Sequence, residues 1–166
     1  MEETSTNNAV LDTSIVAKSI LEPPKNLPSE VYKREIDTRE KIRTILEILE
    51  SQDYTVYFPR AGIIEITSVL KRSGLDKQII MKLIESIKET FIIINEELIY
   101  NRALEIAVEK APSGFDAYFI ALAAITNSVL ITDDKPMAKH AKSIGLEVIL
   151  VREASMEYIR EKLMGK

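Results

Sequence analysis

Apolar residues follow two rhythms along this chain. Short continuous runs alternate with longer stretches in which they recur every three or four positions. Ala9 to Leu11 is the first run and predicts a strand that ends at Asp12. Ile15 to Leu21 predicts a short helix, and the three prolines at 23, 24 and 28 force a loop over 22–29. Ile42, Ile45, Leu46 and Leu49 fall at i, i+3, i+4 and i+7, one face of an amphipathic helix. Tyr54 to Phe58 is β-branched and aromatic, which predicts a strand, and Pro59 suits the first turn of a helix running to Arg72. Ile79, Ile80, Leu83, Ile84 and Ile87 mark the next helix, followed by a short buried strand over 91–94 and a helix over 96–110. After the break at 112–114, residues 115–125 predict a helix that is apolar nearly all round and therefore buried. A strand over 129–131, a helix over 135–143, a strand over 147–151 and a last helix carrying Met156, Ile159 and Leu163 complete the pattern.

Strands thus alternate with helices, and the strands are apolar without interruption, as strands covered on both faces are. The expected fold is α/β, a three-layer α/β/α sandwich with a mostly parallel sheet of four or five strands. One domain over 1–166 is expected, with residues 1–8 as a flexible N-terminus. In such sheets ligands sit at the carboxyl ends of the strands, near a topological switch point.

Composition narrows the chemistry. With 22 Lys plus Arg against 26 Asp plus Glu the net charge is −4, so the chain is no strongly basic nucleic-acid binder, although a local basic patch remains open. There is no cysteine and one histidine, His140. Disulfides, thiolate catalysis, Cys-ligated zinc and any site needing two imidazoles are excluded. No glycine-rich dinucleotide or P-loop signature is present. No run approaches the ~20 apolar residues of a membrane span, and Met1 to Asn8 is the opposite of a signal peptide, so a cytoplasmic protein without membrane contact is expected. Carboxylates, hydroxyls and lysines must carry any catalysis.

Most acids lie in mixed charged stretches that read as solvated surface. Asp12, Glu65, Asp116, Asp133 and Asp134 instead interrupt apolar runs or end strands. Each has a plain reading on its own. Asp12 and either of Asp133 and Asp134 suit helix caps, and Asp116 suits the third position after Ser113 in a capping box. Asp116 also opens an apolar helix, so a positive partner is expected beside it. Taken together, these segments can all open on one edge of a parallel sheet. Carboxylates gathered there repel unless a cation joins them, and an all-oxygen donor set selects Mg²⁺ or Mn²⁺. Such clusters hydrolyse phosphate esters with a metal-activated water, which points to a metal-dependent nuclease or phosphatase.

Four blocks in order resemble the PIN-domain family, closest to the VapC-type toxins. They are Val10 to Ser14 with Lys18 and Leu21-Glu22-Pro23 behind; Pro59 with Glu65 and Val69 to Arg72; Phe115-Asp116-Ala117 through Ala123; and Leu130 to Lys135 with Met137-Ala138. The resemblance implies a PIN fold, endoribonuclease activity on RNA, Mg²⁺ or Mn²⁺, and a homodimer. For the toxin type it also implies a small antitoxin partner. It places the catalytic and metal-binding acids on Asp12, Glu65, Asp116 and Asp134, with Glu65 either a ligand or a support to one. Asp133 stays an alternative to Asp134, and Thr132 or Ser14 would hold a carboxylate or water through a hydroxyl. Lys18, Lys71 and Arg72 are candidates for RNA phosphates, with solvated helix ends as the competing reading. The 65 − 12 = 53 positions between the first two blocks are long for the toxin type and hold the proline loop and a charged helix.

Three other readings compete with a toxin ribonuclease. One is a stand-alone PIN nuclease in RNA processing, and another is a non-catalytic PIN binding module. The third is a haloacid-dehalogenase-type phosphatase, which needs an acid where Ser14 stands.

Overall fold

The structure, a computed structural model, describes residues 7–165. Its centre is β1 (Asn8–Leu11), an apolar strand buried from Ala9 onward. The chain then forms α1 (Thr13–Ile20), crosses the proline loop, and enters α2 (Ser29–Ser51). There follow β2 (Thr55–Pro59), α3 (Arg60–Arg72), α4 (Lys77–Thr90) and β3 (Ile92–Ile94). A single 3-10 turn at Glu96–Leu98 leads into α5 (Tyr100–Lys110) and α6 (Gly114–Ile125). The chain closes with β4 (Val129–Thr132), α7 (Lys135–Ser143), β5 (Val148–Leu150) and α8 (Met156–Met164).

The five strands form one sheet in the order β3-β2-β1-β4-β5, and every pairing is parallel. Parallel neighbours need long crossovers, and helices supply them here, so both faces of the sheet are covered in an α/β/α sandwich. The chain leaves β1 toward β2 but leaves β4 toward β5, away from β1. The switch point therefore lies between the carboxyl ends of β1 and β4, where Leu11 pairs with Ile131. The Asp12 amide extends this ladder by donating to the Ile131 carbonyl at 3.1 Å.

Packing places the next element of the site. A Cβ on Gly62 would stand 2.6 Å from the ring of Phe58 and 3.1 Å from that of Phe119. The two rings meet edge to face at 5.5 Å, and both are buried. Glycine thus lets α3 approach β2 and α6 closely. Glu65, three residues on, shares that inward face of the helix. The Glu96 carboxylate accepts from the Ala61 amide and so serves one of the free amides at the start of α3, which Pro59 does not cap.

Four expectations need correction. The helix expected around 42–49 begins at Ser29, because residues 29–41 are held by helical propensity and pairs such as Lys41–Asp37 at 2.8 Å rather than by an apolar face. The strand over 91–94 is not buried: β3 is an edge strand paired only with β2, and Ile92 is 48% exposed. The helix over 96–110 is broken at Ile99, so only Tyr100–Lys110 is α-helical. Of the flexible N-terminus expected over 1–8, residues 1–6 lie outside the described residues. Asn7 donates to the Gln52 carbonyl and Asn8 opens β1. No helix among the described residues is long and apolar enough to cross a membrane.

Candidate active site

Asp12 stands just past β1, where the strand gives way to α1, and its carboxylate caps that helix by accepting from the Ile15 amide at 3.1 Å. The residue is only 2% exposed. The Ser14 hydroxyl donates to one carboxylate oxygen, and the Thr132 hydroxyl, from the end of β4, donates to the other. Each hydroxyl also accepts from the turn that follows β4: Ser14 from the Asp133 amide at 3.3 Å, Thr132 from the Asp134 amide at 3.0 Å. Two hydroxyls thereby lock the cap of α1 to residues 132–134. Burial pushes the Asp12 carboxyl up to about 6, even though the Ser14 and Thr132 hydroxyls and the Ile15 and Ser14 amides pull it down.

Glu65 joins through Thr13, whose hydroxyl donates to it at 2.6 Å. Asp134 caps α7 by accepting from the Met137 amide at 2.8 Å, and its second oxygen takes part in no hydrogen bond among the described residues. Asp116 lies in the first turn of α6, where Ser113 caps the helix by accepting from the Asp116 amide at 3.3 Å. Burial raises the Asp116 carboxyl. The charges of Asp134 and Glu65 raise it further, while Ser113 and His140 draw it down. The charges of Asp134 and Glu65 thus reach Asp116. The positive partner expected beside Asp116 forms no ion pair with it among the described residues, and the charge that draws its carboxyl down is that of His140. Partial exposure of Asp116 removes the need for one.

Asp133 does different work from Asp134. It is buried, and its carboxylate accepts from the Arg152 amide and from Nε and Nη2 of the Arg152 guanidinium at 3.0 Å, and from Lys18 at 2.6 Å. Burial raises its carboxyl, but these two cations outweigh burial and hold it below the usual carboxylate range. Lys18 bonds Glu35 of α2 as well. The Lys18 ammonium, a candidate for an RNA phosphate, is held between these two carboxylates. Lys71 and Arg72 are exposed in the last turn of α3, ~10 Å along the helix axis beyond Glu65.

Three residues of this arrangement escaped the sequence reading. Thr13 was hidden between Asp12 and Ser14 in what reads as a capping segment. Arg152 follows β5 as Asp133 follows β4, and a lone cation after an apolar strand was the available signal. Glu35 lies in a mixed charged stretch and offers no signal.

The acids and hydroxyls at the switch point offer only oxygen donors, the chemistry that Mg²⁺ or Mn²⁺ requires. Among the described residues, no three His or acidic side chains stand close enough together to hold an ion. Repulsion between like-charged carboxylates works toward such spacing. The donor chemistry fits a hard divalent ion.

The family model for the PIN domain matches residues 9–143. The chain belongs to the PIN domain family. A search of the curated proteins returned no match. Among solved structures, this PIN domain is similar to FitAB bound to an IR36 DNA fragment, at 18% identity and a TM-score of 0.63 over 89% of this chain and 97% of that one. It is also similar to VapBC2 from Rickettsia felis bound to a DNA fragment from its promoter, at 17% identity and 0.58 over 86% and 97%. PAE2754 from Pyrobaculum aerophilum matches at 15% identity and 0.55 over 97% and 92%. At these identities the likeness carries the fold.

Proposed function

We propose that this PIN domain is an endoribonuclease dependent on Mg²⁺ or Mn²⁺, acting as one domain in the cytoplasm. Asp12, Asp116 and Asp134 would hold the ion, with Glu65 joining them or orienting them. The observation that carries this reading is the meeting of the Asp12 and Asp134 segments at the switch point, with Glu65 and Asp116 beside them. Bound there, the ion supplies activation of water and neutralisation of charge at the phosphodiester. The chain supplies orientation. Ser14 and Thr132 fix both oxygens of Asp12, and Thr13 fixes Glu65, as hydroxyls behind ligand carboxylates do.

The test is cleavage of end-labelled RNA with Mn²⁺, Mg²⁺ or EDTA, alongside the Asp12→Asn and Asp116→Asn proteins. Metal-dependent cleavage lost in both variants is expected. Cleavage that is unchanged in either variant excludes this mechanism.

We also infer a small antitoxin partner, as the likeness to FitAB and VapBC2 supports. Its mark is a small protein that co-purifies with the chain and stops cleavage. A homodimer is supported by exposed Ile79 and Met81 on α4 and exposed Leu104 and Val108 on α5. Light scattering at the monomer mass would remove that assignment.

A further inference from the structure

A cavity of about 690 Å³ opens between the end of α1, the proline loop, α2 and the end of α3. Lys18, Arg39 and Arg72 line it, together with Glu22 and Glu35. The three cations are not equally neutralised. Lys18 is satisfied by Glu35 and Asp133. Arg39 is three-quarters buried, yet its Nε is shielded from water and has no acceptor. The nearest carboxylate to Arg39, that of the exposed Glu22, stands 3.8 Å from Nη1, beyond hydrogen-bond reach. Arg72 takes part in no ion pair among the described residues. The orphaned Nε is closed to solvent, so the Arg39 nitrogens open to an anion in the cavity are Nη1 and Nη2, which bond no carboxylate.

We propose that Arg39 and Arg72 form a subsite for a backbone phosphate of the RNA strand, away from the scissile one. Guanidinium groups match phosphate oxygens with paired hydrogen bonds. Lys18 connects the cavity to the centre. It lines the wall and bonds Asp133, the neighbour of Asp134, and it lies six positions after Asp12, ~9 Å along α1. Arg39 comes from the long segment between the first two acids, which gives that segment a role in gripping substrate, and Arg72 comes from the end of α3. The choice of RNA as the source of the phosphate rests on the nuclease reading. The basic character of the cavity does not.

The experiment measures binding of a fluorescent single-stranded oligoribonucleotide to the Asp12→Asn protein in EDTA, over a series of KCl concentrations. Adding Arg39→Gln or Arg72→Gln is expected to weaken binding roughly tenfold and to flatten the slope of log affinity against log salt by about 0.7, the loss of one single-strand phosphate. Arg72 is exposed, so its variant stays informative even where Arg39→Gln loses stability. Lys82→Gln, on the exposed face of α4, is the control and leaves both quantities unchanged. RNA binding that ignores both arginine variants overturns the subsite and leaves the nuclease reading intact. Inorganic phosphate, followed by calorimetry, separates the other failure. Phosphate binding that needs Arg39, without any RNA binding, overturns the RNA assignment and counts against the nuclease reading itself.

Discussion

The hydroxyl of Thr132 donates to the carboxylate of Asp12 across the point where the sheet reverses its direction of growth. The same oxygen accepts from the Asp134 amide at 3.0 Å. One side chain thus orients two of the four acids. Thr132→Val keeps the shape and removes the hydroxyl. It strips Asp12 of a donor and leaves the Asp134 amide without its acceptor. The expected cost is about 1–3 kcal/mol of stability and a roughly 10- to 100-fold loss of metal affinity or activity, as for other groups that orient ligands. Denaturant melts and metal titration of the valine protein check both.

Burial of Asp12 has a signed consequence for pH. Its carboxyl rises from the ordinary 3.8 to about 6, so between these values the folded protein holds a proton that the unfolded chain has released. Stability contributed by this group is full at low pH and is lost as pH rises through about 6, at a limiting cost of about 3 kcal/mol. Asp116 shifts in the same direction, also chiefly through burial. Asp133 has the opposite sign: its carboxyl is depressed, so its contribution is present at neutral pH and is lost on acidification below the usual carboxylate range. In EDTA at pH 7, Asp12→Asn should therefore melt higher than the unmodified protein and show a flatter pH profile between 4 and 6. Mn²⁺ should raise the melting temperature of the unmodified protein and not that of the variant. A variant that melts lower in EDTA and responds to Mn²⁺ would exclude Asp12 as the buried ligand.

The placement of this candidate site was legible because Asp12 and Asp134 closely follow strands whose apolar runs are unmistakable, and strand ends define the switch point in a parallel sheet. Glu65 was legible by contrast, as a carboxylate with small neighbours and no cation within a helical turn. The support beneath the acids was not legible. The Lys18–Asp133–Arg152 cluster draws on α1, the turn after β4 and the segment after β5, and no local pattern links positions 115 and 19 residues apart. The first half of α2 was missed for a different reason. An apolar-face criterion sees only helices that bury a face, and residues 29–41 are held largely by charge pairs and propensity. β3 misled because an edge strand with three isoleucines reads like a buried one.

Gly62 sets how closely α3, the carrier of Glu65, approaches the sheet. A methyl group there would meet the buried Phe58 ring at 2.6 Å, a distance that forces the ring or the helix to move. Gly62→Ala gains helical propensity but overpacks a closed contact, and a net loss of about 1–3 kcal/mol is expected. If α3 is what yields, Glu65 moves away from Thr13 and metal affinity falls as well. If the ring yields, affinity is kept. Melting curves and Mn²⁺ titrations of the alanine protein distinguish the two responses.

Asp133 and Asp134 are adjacent in sequence, and their partners assign them different work. Asp133 is saturated: its side chain is 1% exposed and bonded to Arg152 and Lys18, which leaves little capacity for an ion. Asp134 spends one oxygen on the cap of α7 and keeps the other. Asp133→Asn breaks a buried ion pair from one side and is expected to cost about 3 kcal/mol, with metal affinity little changed in the fraction that stays folded. Asp134→Asn keeps an oxygen for the cap, so its stability cost should be under about 1 kcal/mol, while metal binding and cleavage fall together. Calorimetric Mn²⁺ titration beside denaturant melts of both variants separates the roles. A stable Asp133→Asn protein that no longer binds Mn²⁺ would reverse the assignment and make Asp133 the ligand.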